Sequence, residues 1–375
     1  MRVLIICHSG GLAGAEIAIL ETMVALRKAG HSVYVAYPNE GAFSAKAIGI
    51  ANGTKHIYND HWTGYGQLST WQKLKFVRGF LRAGRAIAAY AEEIGADVVV
   101  TNTSTIPAGA IGAKMAGLPH VWYIHEFVVE DHRLRWQYGQ RFSYWVINRL
   151  SAAVVVNSKA VLAKLKRYIS EEKLQLVYCA CDTPSAPYVL PSHISPVAQC
   201  LMVGSVSPGK NQLEAIQALG ILTTKGMALP LHLVGHCDAA YKVELESEAR
   251  KLDVKVVFSP FESDLKKIFS DDSLFLLCSS SEAFGRVVVE AQKFGLPVVV
   301  SGGGGVREIV DDGENGLVYE PGDAAALSDK IGQLVIDTSL RNGLARGGFA
   351  SANERFNLKT HIDAFALALE KALKK

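Results

Sequence analysis

The sequence predicts an α/β protein of two Rossmann-like domains, each a parallel sheet covered by helices. Three observations carry that expectation. Short apolar runs of strand length alternate with helical stretches, the order that builds parallel sheets. The alternation stops and begins again after residue 198. The chain of 375 residues also exceeds the roughly 250 to 300 at which a single core stops growing.

Taken in order, residues 3–7 read as the opening strand, 16–29 as a helix, 32–37 as a strand, 71–94 as a long helix, and 97–102 and 119–124 as further strands. The second half repeats the pattern. Residues 200–204, 231–235, 254–258, 274–278 and 297–301 read as strands, with helices at 212–222 and 244–252. Four prolines among residues 183–196 mark 183–197 as a linker. The expected division is therefore 1–182 and 198–355, with an amphipathic helix over 356–370. Open α/β sheets bind ligands beyond the carboxyl ends of their strands, so a cleft between two facing domains is the expected site.

Composition excludes several classes. With 49% hydrophobic and 20% charged residues, and no apolar run near 18 residues, the chain has no expected membrane span. Residues 1–7 form too short an apolar stretch for a signal peptide, and cytoplasmic residence is expected. The six cysteines contain no CxxC pair and are read as reduced thiols. Cys179 and Cys181 have no matching pair, so no metal site is expected. Net charge is +3 but unevenly placed: residues 1–182 carry 20 Lys+Arg against 13 Asp+Glu (+7), and the remainder 19 against 23 (−4). A basic first half suggests an anionic partner there, a lipid surface or lipid-phosphate acceptor. No nucleic-acid partner is expected.

The candidate site residues lie in the loops that follow strands. After the first strand comes His8-Ser-Gly-Gly-Leu-Ala-Gly-Ala-Glu16, where Gly10, Gly11 and Gly14 let a ligand approach the backbone; a tight strand-to-helix turn is the plain alternative. This is not the Gly-x-Gly-x-x-Gly fingerprint, and no matching acidic residue follows the second strand, so an NAD enzyme is disfavoured. In the second half, Gly204-Ser-Val-Ser-Pro-Gly-Lys210 places Lys210 to reach a diphosphate as a point charge. Glu282 and Glu290, eight positions apart, straddle a Gly-containing strand-to-helix loop, where backbone N–H groups and the helix dipole suit a phosphate. Surface glutamates in a helix are the plain alternative. Four glycines, 302–305, follow another strand and are read as backbone against which a ligand lies.

These segments resemble retaining glycosyltransferases of family 4, which have the GT-B fold. The resemblance rests on Gly14-Ala-Glu16, Trp122-Tyr-Ile-His125-Glu126, 204–210, 282–290, and 302–308 continuing into Asp312-Gly-Glu-Asn-Gly316. It implies that Glu282 holds donor-sugar hydroxyls, Glu290 the ribose, Lys210 the diphosphate, and His125 the donor sugar from the opposite domain. Catalytic roles thus fall on Glu282, His125 and Lys210. Gly11, Gly14, Gly204, Ser205, Phe284, Gly285, Arg286 and Glu290 complete the donor-binding set. The implied donor is a nucleoside-diphosphate sugar, UDP- or GDP-linked, and the implied acceptor a glycan or lipid-linked glycan. No cofactor or metal is implied, and the chain has no Asp-x-Asp. The final helix is implied to cross back to the first domain.

Two departures stand out. Ser205 occupies a position where the family commonly has Arg, and Arg286 is expected to compensate as a phosphate ligand. Tyr178-Cys-Ala-Cys-Asp182 replaces a frequent Asn-Gly turn. The Ser205 change motivates an alternative, a non-catalytic nucleotide-sugar-binding partner of an active transferase; a third reading is a sugar-nucleotide epimerase. On the long helix, Lys75, Arg78, Arg82 and Arg85 share one face opposite Phe76, Val77, Phe80 and Ile87. That is read as a solvated basic face, with peripheral attachment to an anionic membrane at the inner face of the cell as the alternative. The basic-aromatic stretch 133–145 suggests either acceptor docking or helix packing.

Overall fold

The computed structural model describes residues 1–131, 134–181 and 195–374. The chain separates into two compact units, Met1–Cys181 with Phe356–Lys375, and Asp182–Arg355. The proline-rich stretch read as a linker lies, up to residue 194, outside the described residues, as does Arg133.

The first unit contains β1 (Arg2–Ile6), α1 (Gly14–Lys28), β2 (Ser32–Tyr37), α2 (Ala42–Ile50), β3 (Gly53–His56), β4 (Thr63–Gly64), α3 (Thr70–Ile94), β5 (Val98–Thr101), α4 (Ala108–Met115), β6 (His120–Ile124), β7 (Arg135–Trp136), α5 (Gln140–Leu150), β8 (Ala153–Val156), α6 (Lys159–Leu165) and β9 (Leu174–Leu176). Seven strands form one parallel sheet in the order β3-β2-β1-β5-β6-β8-β9, and β4 pairs antiparallel with β7. Its central strands are runs of Val and Ile buried on both faces, the pattern of a sheet covered by helices on each side. Alternation sorts them. Val3 and Ile5 of β1 pack with Ile19, Met23 and Leu26 of α1, whereas Leu4 and Ile6 point the other way onto Ala83, Ile87 and Tyr90 of α3. The start of α3 is fixed by Ser69, whose Oγ accepts from the Gln72 N–H, and its end by Gly95 at φ 60°.

The second unit runs β10 (Gln199–Val203), α7 (Gln212–Thr224), β11 (Leu231–Val234), α8 (Ala239–Lys251), β12 (Val256–Ser259), β13 (Ser273–Leu277), α9 (Arg286–Lys293), β14 (Val298–Ser301), β15 (Leu317–Tyr319), α10 (Ala324–Ile336) and α11 (Thr338–Arg355). Its six parallel strands follow the order β12-β11-β10-β13-β14-β15, so the chain winds outward from β10 and then crosses back to β13. The helix expected from 244 begins earlier, at Ala239, because Asp238 accepts from the Tyr241 N–H at 2.8 Å and caps it.

The last helix, α12 (Leu358–Leu373), belongs to the first unit. Phe365, Ala368 and Leu369 enter the core on the α1 side of that sheet. His361 anchors the helix, with Nε2 2.9 Å from Thr22 Oγ1 and Nδ1 2.8 Å from the Tyr178 carbonyl. Among the described residues no helix is long and apolar enough to cross a membrane.

Candidate functional site

In each unit the strand order reverses between two neighbouring strands, β10 and β13 in the second and β1 and β5 in the first. The loops leaving such a pair diverge to opposite faces of the sheet and leave a crevice at its carboxyl edge. The residues singled out from the sequence gather at these two edges.

In the second unit, β10 ends at Gly204 (φ 136°), and a short turn over Pro208–Lys210 leads into α7. β13 ends in the loop that carries Glu282 and Gly285 into α9. Lys210 Nζ meets Glu282 Oε1 at 2.5 Å, an ion pair that ties the two loops together across the reversal. Its side chains are 33% and 12% exposed, so the pair sits at the rim and is accessible to a ligand. One turn into α9, Arg286 Nε donates to Glu290 Oε1 at 2.8 Å, with both side chains largely buried. Arg286, expected to compensate for the missing cation at 205, has its Nε on Glu290, because an i,i+4 spacing on a helix stacks the two side chains. Ser205 is exposed, its carbonyl accepting from Gln212 Nε2 at 3.0 Å. Phe284 has its side chain in the core. Gly285 needs its glycine, since φ is 96° and a Cβ would press on Val306.

Three glycines of the run 302–305 are required by packing within the chain. A Cβ on Gly303, Gly304 or Gly305 would fall inside the backbone of Ser280, Glu282 or Ala283 respectively. The Gly305 N–H donates to the Glu282 carbonyl at 2.8 Å. Backbone packs on backbone here, so these glycines hold the Glu282 loop in place.

A cavity of about 410 Å³, not foreseen from the sequence, opens at the carboxyl ends of β11 and β12. Gly235, His236, Cys237, Ser259, Pro260 and Phe261 line it, and the His236 and Phe261 rings stack at 5.4 Å and 12°. It adjoins the β10 loop: Gly235 lies so close to the Gly204 carbonyl that no side chain fits between them. The available signal was Gly235 itself, directly after a buried strand.

In the first unit, Gly10 is required by packing against the Asn39 carbonyl, whereas Gly11 and Gly14 are exposed and face open space or only Ser9 Oγ. Glu16, buried, accepts from the Ala13 N–H at 3.2 Å and lies 3.2 Å from His8 Nε2. At the end of β5, Asn102 Nδ2 donates to the Ala15 carbonyl at 3.1 Å, which turns Oδ1 toward His125. His125 Nε2 is 2.8 Å from that oxygen and is therefore the protonated nitrogen. Behind it Glu126 is buried. Burial alone would raise its pKa, but hydrogen bonds from Ser104 and Thr103 and the neighbouring His125 outweigh this and hold it below the usual carboxylate range. His61 sits 5.8 Å from His8 ring to ring, and burial, reinforced by His8, lowers its pKa.

The structure thus groups Gly204, Ser205, Lys210, Glu282, Gly285, Arg286 and Glu290 at one edge, and Gly11, Gly14 and His125 at the other. The arrangement offers cations, backbone N–H groups and carboxylates suited to a phosphate flanked by hydroxyls. Among the described residues, no group of three or more His, Cys, Asp and Glu is placed to hold a metal ion.

Two family models match the chain: Glycosyltransferase Family 4 over residues 12–184, and Glycosyl transferases group 1 over residues 195–350. The capsular polysaccharide biosynthesis glycosyltransferase CapM of Staphylococcus aureus is 29% identical over 41% of this chain and 41% of its own length. The lipopolysaccharide core biosynthesis glycosyltransferase LpsE of Rhizobium meliloti is 33% identical over 30% of this chain and 33% of its own. The aligned stretches span less than half of either relative. Among solved structures, Anabaena HepE in complex with UDP and glucose superposes with a TM-score of 0.80, at 23% identity, covering 99% of both chains.

Proposed function

The chain belongs to the family 4 glycosyltransferases of GT-B fold, and from that membership and its two loop clusters we propose that it is a retaining, metal-independent transferase. Its donor is a nucleoside-diphosphate sugar, UDP- or GDP-linked, and its acceptor a glycan or lipid-linked glycan of polysaccharide or cell-envelope synthesis. The observation that carries the reading is the Lys210–Glu282 pair spanning the strand reversal beside the N-terminus of α9.

The diphosphate takes Lys210 from Glu282, and the released carboxylate then accepts hydrogen bonds from sugar hydroxyls. Glu290, oriented by Arg286, accepts from the ribose. The cavity of Gly235 to Cys237 and Ser259 to Phe261 takes the flat nucleobase against the exposed edge of Phe261. As the bond from C1 to the phosphate oxygen breaks, negative charge grows on the leaving diphosphate. Lys210 and the backbone N–H groups at the start of α9 stabilise it. The acceptor hydroxyl attacks C1 on the face the diphosphate leaves, and its proton passes to a phosphate oxygen. By membership of the family we assign His125, its ring set by Asn102, to the donor sugar.

Proton NMR of the full chain with UDP- and GDP-sugars and acceptor glycans tests this. The expected product keeps the donor's anomeric configuration, forms equally well in excess chelator, and disappears with Glu282→Gln. Binding without turnover, even with acceptor, would favour the non-catalytic partner reading raised by Ser205. Interconversion of the donor sugar without acceptor would favour an epimerase.

A further inference from the structure

The layer α3, α4, α5 covers one face of the first unit's sheet, α3 packing on α4 and α4 on α5. Its outward side does not look like ordinary solvated surface. On α3, Lys75, Arg78, Arg82 and Arg85 are exposed, as the sequence suggested, but apolar side chains that should have turned inward are exposed beside them. Trp71 is 73% exposed, and Leu74, Val77 and Leu81 flank the cations on the same outward arc. Only Phe80, Ala83, Gly84, Ile87 and their successors reach the core.

α5 repeats the pattern independently. Ser143, Tyr144 and Ile147 face inward, while Arg141, Phe142, Trp145 and Arg149 share one exposed face. Phe142 and Trp145 stack on each other at 5.9 Å and are 51% and 59% exposed among the described residues. Neither α5 nor residues 70–91 of α3 contain an Asp or Glu. The two helix starts are tied together, since Tyr138, one residue ahead of Gly139 and α5, donates to the Lys73 carbonyl at 2.7 Å and packs on Phe80. The second strap is Gln137, which donates to the Gly66 carbonyl and accepts from the Leu68 N–H.

We propose that this outward face of α3 and α5 docks flat on an anionic lipid bilayer. Tryptophan prefers the level of the lipid headgroups, where its ring is apolar and its N–H stays wet. Leu74, Val77 and Leu81 enter the acyl boundary, and the six exposed cations of the two helices meet anionic headgroups. A soluble polyanion would satisfy the cations but leave the aliphatic side chains in water. A second copy meeting this face on a two-fold axis would set like cations against one another. The surface therefore brings the first unit to where a lipid-linked acceptor resides; this last clause alone rests on the proposed transferase function.

Co-sedimentation of the full chain with vesicles tests the proposal, using phosphatidylcholine alone and phosphatidylcholine containing phosphatidylglycerol. Binding should require phosphatidylglycerol and weaken with salt. Trp71→Ser with Trp145→Ser should lower partition about tenfold or more. Arg78→Gln with Arg141→Gln should lower it roughly 25-fold, about fivefold per charge. All four positions are exposed, so circular dichroism melts should match the parent. Binding indifferent to phosphatidylglycerol, or unchanged in the tryptophan pair, would overturn the proposal. So would sedimentation as a dimer that these substitutions dissolve, or binding to heparin without binding to vesicles. No sugar transfer is read, so failure here leaves the transferase reading standing.

Discussion

The Lys210–Glu282 pair makes a prediction whose sign differs between its two partners. Lys210→Met removes a charge-assisted hydrogen bond to diphosphate, about 1.5 to 3 kcal/mol, and UDP or GDP should bind roughly 10- to 150-fold more weakly. Glu282→Gln removes a negative charge from the same rim and frees Lys210 from its 2.5 Å partner. A unit charge roughly 8 Å from the diphosphate, at an effective dielectric of about 40, contributes ~1 kcal/mol. Nucleotide should therefore bind about three- to tenfold tighter to Glu282→Gln, even as sugar transfer is abolished. Titration calorimetry with UDP and GDP reads both, and added salt should shrink both effects. Equal weakening by the two substitutions, or no effect of Lys210→Met, would exclude a cation shared between carboxylate and ligand.

Further expectations concern the frame around that pair. Arg286→Met withdraws one partner from the buried Glu290 carboxylate and should lower urea-unfolding stability by about 2 to 4 kcal/mol, with Arg286→Lys losing less. Gly304→Ala, at φ 70° and against the Glu282 carbonyl, should cost about 2 to 3 kcal/mol and cut turnover, whereas Gly14→Ala, facing open space, should leave the melting temperature within a degree or two of the parent, on the order of 0.5 kcal/mol. His120 is fully buried beside Thr101 and Trp122, and burial lowers its pKa to about 3. Being neutral when folded, it contributes stability that is complete above its unfolded pKa of about 6.5 and is lost as pH falls toward 3, about 2 kcal/mol by pH 5. Melting temperature followed from pH 7 to 5 should fall less steeply in His120→Asn than in the parent.

The sheets were legible because buried parallel strands are written as short Val- and Ile-rich runs; residues 32–37 match a strand at both ends. Helix starts were less so. That of α8 depends on a side-chain cap at Asp238, which carries no hydrophobic periodicity. The strand β8 and the helices α4, α6, α10 and α11 passed unremarked; α4 and α11, rich in Ala and Gly, offer little apolar–polar contrast from which to read a period. The position of Lys210 and Glu282 at the sheet edge was legible because residues in strand-to-helix loops end there whatever the details of packing, and Glu290 follows one turn into α9. What those side chains touch was not legible. Arg286 pairs one helical turn away with Glu290, and the glycines at 303–305 answer to a loop some twenty residues earlier. The cavity at Phe261 arises from two loops whose proximity is a property of sheet order rather than of either segment. Likewise, a helical wheel placed the cations of α3 correctly but put Val77 inward, since it cannot show how wide an arc the sheet covers.

The proposed nucleoside-diphosphate site lies at the carboxyl edge of the second sheet. Thermal unfolding of the full chain in excess UDP, GDP, ADP and CDP addresses it directly. A nucleotide at about 100 times its dissociation constant adds about 2.7 kcal/mol. A selective rise in melting temperature with UDP or GDP is expected, and it should be lost in Lys210→Ala and Glu290→Ala. No rise with any of the four, or a rise that survives both substitutions, would contradict it.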